Sequence, residues 1–196
     1  MALSKVWYMD ARARRFLEST AIKGRQIIER SGWLDRLKRG DIVAVKTHMG
    51  EAYNVGYLRP VIISTLVDLL KERGLRPFVT DTTTMPYHPW ISRTLAMDHL
   101  ETANRNGFNQ GSVGCPIVMA DGWLGTDDVI VDLKGRGNYL TKQFVARAIA
   151  DADALLSVAH FKGHPAGGYG GSLKNIGVGG ASKRGKIGRA SCRERL

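Results

Sequence analysis

Residues 41–81 read DIVAVKTHMGEAYNVGYLRPVIISTLVDLLKERGLRPFVTD. Asp41 to Thr47 opens with an apolar run, which is the mark of a strand buried on both faces. The run ends in the polar group His48-Met49-Gly50-Glu51. Pro60, in the favoured first turn of a helix, follows Arg59. Val61, Ile62, Thr65, Leu66, Leu69 and Leu70 then repeat at helical spacing. Lys71 and Arg73 suit a helix C-terminus, and Gly74 suits its cap. Arg76 to Asp81 is a second apolar strand. Strand, helix and strand in this order predict a right-handed crossover between parallel neighbours. The fold class expected is α/β, a three-layer domain with a mostly parallel central sheet.

Towards the N-terminus, Val6-Trp7-Tyr8-Met9 is short, aromatic and β-branched, and predicts an opening strand. Thr20 is placed to cap a helix over residues 20–37, although Gly24 and Gly32 weaken its continuity. Towards the C-terminus, a helix is predicted over 92–106, with Leu95, His99, Leu100 and Ala103 on one face. On this reading His88 belongs to a loop and His99 to a helix face, each with little chemistry. Strands are predicted at 116–120 and 128–133. Phe144, Val145, Ala148 and Ile149 fit the inward face of a helix over 140–151. Ala154 to Ala159 is the last predicted strand, central in the sheet with 41–47 and 76–81. No internal repeat or linker marks a second domain.

From that last strand the polarity changes abruptly. His160, Lys162 and His164 arrive within five positions, and glycines follow at 163, 167, 168, 170, 171, 177, 179, 180 and 185. Lys174-Asn175 lies among them. Glycine lets backbone N–H groups approach a ligand closely, and lysine supplies positive charge. Open parallel sheets bind ligands beyond the carboxyl ends of their strands. Three strand ends deliver polar groups there: Lys46, His48 and Glu51; Asp81; and His160, Lys162 and His164. The expected site takes Lys46, Lys162, Lys174, Asn175, Gly170 and Gly171 as anion-binding residues. His160 and His164 would transfer protons, since histidine titrates near neutral pH, and Asp81 would orient one of them. On a helix His160 and His164 would make a metal pair, but Gly163 and Pro165 argue against a helix, so no metal is expected. The same segment also fits a surface loop with solvated charges. No Walker loop and no dinucleotide fingerprint is present.

The 196 residues carry a formal net charge of +11, with 43% hydrophobic and 24% charged residues. This is the composition of one globular domain. No run approaches the roughly 18 apolar residues of a membrane helix, and the N-terminus lacks a signal-peptide pattern. A cytoplasmic protein without membrane contact is expected. Residues 187–196 carry Arg189, Arg193 and Arg195 against Glu194, and have no apolar period. They are read as a non-native tail, so the expected domain spans 1–186 and is cut off at its C-terminus. Setting aside Cys192 in that tail leaves Cys115, which is too little for a disulfide or a metal–thiolate site. The basic residues are spread out and not interleaved with aromatics, which favours a small anionic ligand over nucleic acid.

Several ordered motifs closely resemble the domain-of-unknown-function family 362. They are Val45-Lys46-Thr47-His48-Met49-Gly50-Glu51, Tyr57-Leu58-Arg59-Pro60, Pro77-Phe78-Val79-Thr80-Asp81-Thr82, Ala96-Met97-Asp98-His99-Leu100, the run from Ala148 to Leu155, His160-Phe161-Lys162-Gly163-His164 and Gly170-Gly171-Ser172-Leu173-Lys174-Asn175. The resemblance covers residues 4–186. Members are usually described only as iron–sulfur center proteins, and often carry a ferredoxin-like module after this domain. That module binds two four-iron four-sulfur (4Fe-4S) clusters. The resemblance thus implies a redox-linked role, with clusters held in a downstream module and none by the cysteines of this chain. It implies an electron-transfer partner and an oxidoreductase component, but supplies no established reaction. Two other functions fit the residues: a non-redox racemase or isomerase acting on a small hydroxy acid, and a basic nucleic-acid-binding module.

Overall fold

The computed structural model describes residues 4–86, 92–136, 140–164 and 167–187. Helix α1 (Thr20–Arg30) is capped by Ser19, whose hydroxyl accepts from the Ile22 N–H. It stops at Arg30 and not at residue 37, because Gly32 turns the chain with φ 70°; only a 3-10 turn, Leu34–Arg36, follows. Residues 6–9 form no strand, and Val6 and Tyr8 are 88% and 85% exposed. A short aromatic run becomes a strand only where a sheet edge accepts it, and none pairs with this one.

The β-α-β unit forms as the sequence predicts. Strand β1 (Ile42–Thr47) leads to helix α2 (Pro60–Glu72) and strand β2 (Arg76–Asp81). The two strands are parallel, with Lys46 opposite Thr80. Helix α2 turns Ile63, Leu66, Val67, Leu69 and Leu70 inward and packs on α1. Helix α3 (Ala96–Arg105) starts four residues later than predicted. After it come the short helix α4 (Gln110–Val113) and strand β3 (Ile117–Met119), which pairs parallel with β2.

Strand β4 (Asp128–Asp132) and strand β5 (Lys142–Ala146) form a separate antiparallel pair. This corrects the helix predicted over 140–151. Phe144 and Val145 lie opposite Ile130 and Val129, so a β-branched partner strand captures residues whose spacing also fits a helix. Helix remains only in α5 (Arg147–Ala150). Strand β6 (Ala154–Val158) then pairs parallel with β1, with Lys46 opposite Ser157. The hairpin of strands β7 (Lys162–His164) and β8 (Gly168–Gly170) and helix α6 (Ser172–Gly177) complete the named elements. Helical backbone resumes over residues 183–187.

The result is a three-layer α/β domain whose four-stranded parallel sheet runs β3-β2-β1-β6. Strands β1 and β2 are internal, whereas β6, expected in the centre, lies at one edge among the described residues. Val43, Ala44, Val45, Lys46 and Thr47 are all buried. No described helix is long and apolar enough to cross a membrane. His88 and residues 188–196 of the expected tail lie outside the described residues.

Candidate functional site

The site starts from the carboxyl ends of the two inner strands. Lys46 and Asp81 leave neighbouring strands and meet with Nζ 2.8 Å from Oδ1, their side chains 1% and 6% exposed. Burial alone would push the Asp81 carboxyl up. The Lys46 ammonium, with help from His48 and His99, outweighs burial and holds it well below the ordinary 3.8. Oδ1 also accepts from the Thr82 N–H at 2.8 Å. Asn175 of α6 closes the other side of Lys46. Its Oδ1 accepts from Lys46 Nζ at 2.9 Å, while its Nδ2 donates to Lys46 O and Ser157 Oγ, each at 2.9 Å. The glycine-rich segment is therefore anchored on β1 at this point. A Cβ at Gly179 would stand 2.4 Å from Asn175 O and 2.9 Å from Lys46 Nζ, so only glycine lets the chain pass there.

The second oxygen of Asp81 is different. Oδ2 is buried with no hydrogen-bond partner among the described residues, as are both ring nitrogens of His99. His99 Nε2 lies 3.4 Å from Oδ2 and His48 Nδ1 lies 3.6 Å from it. His99 is wholly buried, and burial lowers its pKa against the pull of Asp81. The His48 side chain is 30% exposed. Its pKa is lowered first by burial and further by Arg93 and Lys162, with Asp81 opposing.

A basic rim surrounds this floor. Arg93 Nε reaches Glu51 Oε2 at 2.8 Å, and its Nη1 lies 3.4 Å from His48 Nδ1. Lys162 donates to Gly56 O at 2.7 Å. Burial and then Arg93 lower its pKa. Lys174 is lowered by burial, then by Lys162 and Arg93. His164 is lowered by burial, then by Lys174 and Lys162, and its Nδ1 accepts from the Gly167 N–H at 3.1 Å. Gly170 is buried beside these groups, where a Cβ would lie 3.7 Å from Lys174 Cδ. Gly171 precedes α6, where a Cβ would touch the Phe161 ring at 3.4 Å. Among the described residues no carboxylate comes within 4 Å of Lys162 or Lys174.

The structure thus joins Lys46, Asp81 and Asn175 in one buried group, and Lys162, Lys174, His164 and Gly170 in a neighbouring basic one. His48 and Arg93 connect the two. His160 is exposed between β6 and β7. The histidines at Asp81 are His48 and His99, from the segment after β1 and from α3, and not His160 or His164. Sequence reasoning named His48 among the strand-end residues without giving it a role, and set His99 aside as a helix-face residue. Its inward helical position was the available signal. Arg93 follows an undescribed segment, and nothing in the local pattern marks it. Lys186, also unassigned, is 7% exposed and donates to Thr82 Oγ1 and Thr83 O. Burial lowers its pKa to about 8, with Asp121 and Asp81 opposing.

A 4Fe-4S cluster needs several converging thiolates. The described residues contain one cysteine, Cys115, which is buried and whose thiol burial pushes up. No group of three His, Cys, Asp or Glu among the described residues is arranged to hold a metal ion. These residues do not fit a cluster.

A family model described as a domain of unknown function (DUF362) matches residues 43–193. No curated protein and no solved structure matches the chain.

Proposed function

The chain belongs to the DUF362 family, and on that premise we propose that it binds a small anionic substrate or cofactor at the carboxyl edge of its parallel sheet. The observation that carries this reading is the rim. Arg93, Lys162 and Lys174 come from three separate segments; beyond the effect of burial, Arg93 disfavours the charge of both lysines, and Lys162 disfavours that of Lys174. Arg93 has Glu51, but the two lysines have no carboxylate within 4 Å among the described residues. A bound oxyanion would offset that repulsion, each charge-assisted contact contributing roughly 1.5–3 kcal/mol. Its place beyond the strand ends is where open parallel sheets take ligands.

We further place the domain in the cytoplasm, in a redox protein whose electrons come from an iron–sulfur partner module. The redox role rests on the resemblance of its motifs. A non-redox racemase or isomerase of small hydroxy acids is the second reading, favoured by the two histidines at Asp81. Visible cluster absorbance in the protein purified from its native source would separate the two.

Thermal melts in sulfate, phosphate and succinate test the anion site. Saturation at 100 times Kd adds about 2.7 kcal/mol, a rise of roughly 5–10 °C for a domain of this size. Lys162→Ala should lose most of that rise while melting near the native temperature without anion. Unchanged melts of the native protein in all three anions would sink the reading.

A further inference from the structure

We infer that His48 is the proton-exchanging group of this site: it takes up a proton when an oxyanion binds and passes from accepting from Arg93 to donating to Asp81. The inference rests on the anion reading above. It starts from the buried, unpartnered Oδ2 of Asp81. Oδ1 is already held by Lys46 and the Thr82 N–H. Two ring nitrogens are placed to serve Oδ2, His99 Nε2 at 3.4 Å and His48 Nδ1 at 3.6 Å. His99 is 0% exposed, so charging it means holding an imidazolium away from water. His48 is partly exposed and can exchange protons with solvent and ligand.

Burial disfavours a charged His48 first, and the groups facing it then act in both directions. Asp81 at the end of β2 favours the imidazolium. Arg93, in the segment before α3, and Lys162 of β7 oppose it, and Glu51 stands behind Arg93. Without an anion, neutral His48 accepts a guanidinium N–H of Arg93 at Nδ1, 3.4 Å away, which leaves its proton on Nε2. An oxyanion among Arg93, Lys162 and Lys174 offsets the cationic repulsion that Arg93 and Lys162 add to burial, and leaves the attraction of Asp81 for the imidazolium. A proton from solvent then adds to Nδ1, which can no longer accept from Arg93 and donates to Asp81 Oδ2. Arg93 is released to the anion. In the ring, Nε2–H points away from Nδ1 and so away from Asp81, and remains available as an acid beside the bound group. The ligand class this serves is a small carboxylate or phosphate whose reaction requires a proton near its anionic end.

Sulfate is the probe, because its own protonation does not change near neutral pH. Calorimetric titration at pH 7 in buffers of different ionisation enthalpy reads the protons taken up per sulfate bound. The native protein should take up a large fraction of one proton, and His48→Asn should bind sulfate with almost none. Ring-nitrogen NMR of the native protein, with histidine labelled, should show His48 moving to the imidazolium signature on sulfate addition, which tests the idea even if the variant folds poorly. Binding without proton uptake would overturn the inference and leave the anion site standing. Uptake that persists in His48→Asn would also overturn it, pointing to His164. Absence of any binding heat, with no NMR shift, would overturn the anion site and this inference together.

Discussion

Asn175 and Lys46 hold each other twice over, through Lys46 Nζ to Asn175 Oδ1 and Asn175 Nδ2 to Lys46 O, both at 2.9 Å. A third bond ties Asn175 to Ser157. One side chain thus fastens α6 to two adjacent strands of the sheet. Asn175→Ala leaves a buried ammonium short of one acceptor, and is expected to cost about 2–3 kcal/mol. Urea denaturation checks it; an unchanged midpoint would show that the glycine-rich segment contributes nothing to the folded domain.

Asp81 gives the domain an acid limit. Its folded pKa lies below the ordinary 3.8, so its contribution is present above that value and lost as pH falls through the folded pKa. Asp81→Asn strands the Lys46 charge and should cost roughly 3–5 kcal/mol at neutral pH. It should also flatten the pH dependence of stability below about 4. Denaturation curves across that range measure both effects, and a variant as acid-sensitive as the native protein would contradict the assignment.

Lys186 acts at the other end of the scale. With a folded pKa of about 8 against an ordinary 10.5, the unfolded chain binds more protons between these values, so stability rises with pH across the window. At about 1.4 kcal/mol per pH unit the rise is on the order of 3 kcal/mol. Lys162 and Lys174 are shifted in the same direction and add to it. Lys186→Met should remove the largest share. A native protein equally stable at pH 8 and pH 10 would refute this.

Two glycines of the same basic segment should behave differently. Gly163→Ala meets nothing within 4 Å and should change stability by less than about 0.5 kcal/mol. Gly179→Ala drives a methyl group into Asn175 O and Lys46 Nζ, and should cost roughly 1–3 kcal/mol or more. Paired thermal melts decide the point, and equal melting temperatures would mean that the chain around Gly179 yields freely.

The inner sheet was legible because β1, α2 and β2 are neighbours in sequence and each carries its own period. Residues 142–146 were not, since Phe144 and Val145 satisfy a helical face as well as a strand, and the partner that decides between them lies at Val129 and Ile130. Topology led the sequence reading to place Lys46 and Asp81 at one sheet edge, but it paired Asp81 with His160 or His164, and the contacts of Lys46 with Asp81 and Asn175 emerge only from the structure. His99 was not, because a histidine on an inward helix face has the same local pattern whether it meets leucine or a carboxylate. His160 sits next to an apolar strand in sequence, yet its side chain is exposed, and adjacency to a strand does not say which way the chain turns after it.

Strand β1 pairs with β2 across a short crossover, but its other neighbour, β6, places Ala154 opposite Val43. On the ribosome, at roughly 5–20 residues per second, the β1–β2 pair is made several seconds or more before β6 emerges. Throughout that interval one long edge of β1 offers unpaired backbone groups to any passing strand. The nascent chain is therefore most vulnerable to misassociation before its last parallel strand arrives, and a chaperone that shields this edge would raise the yield of folded protein.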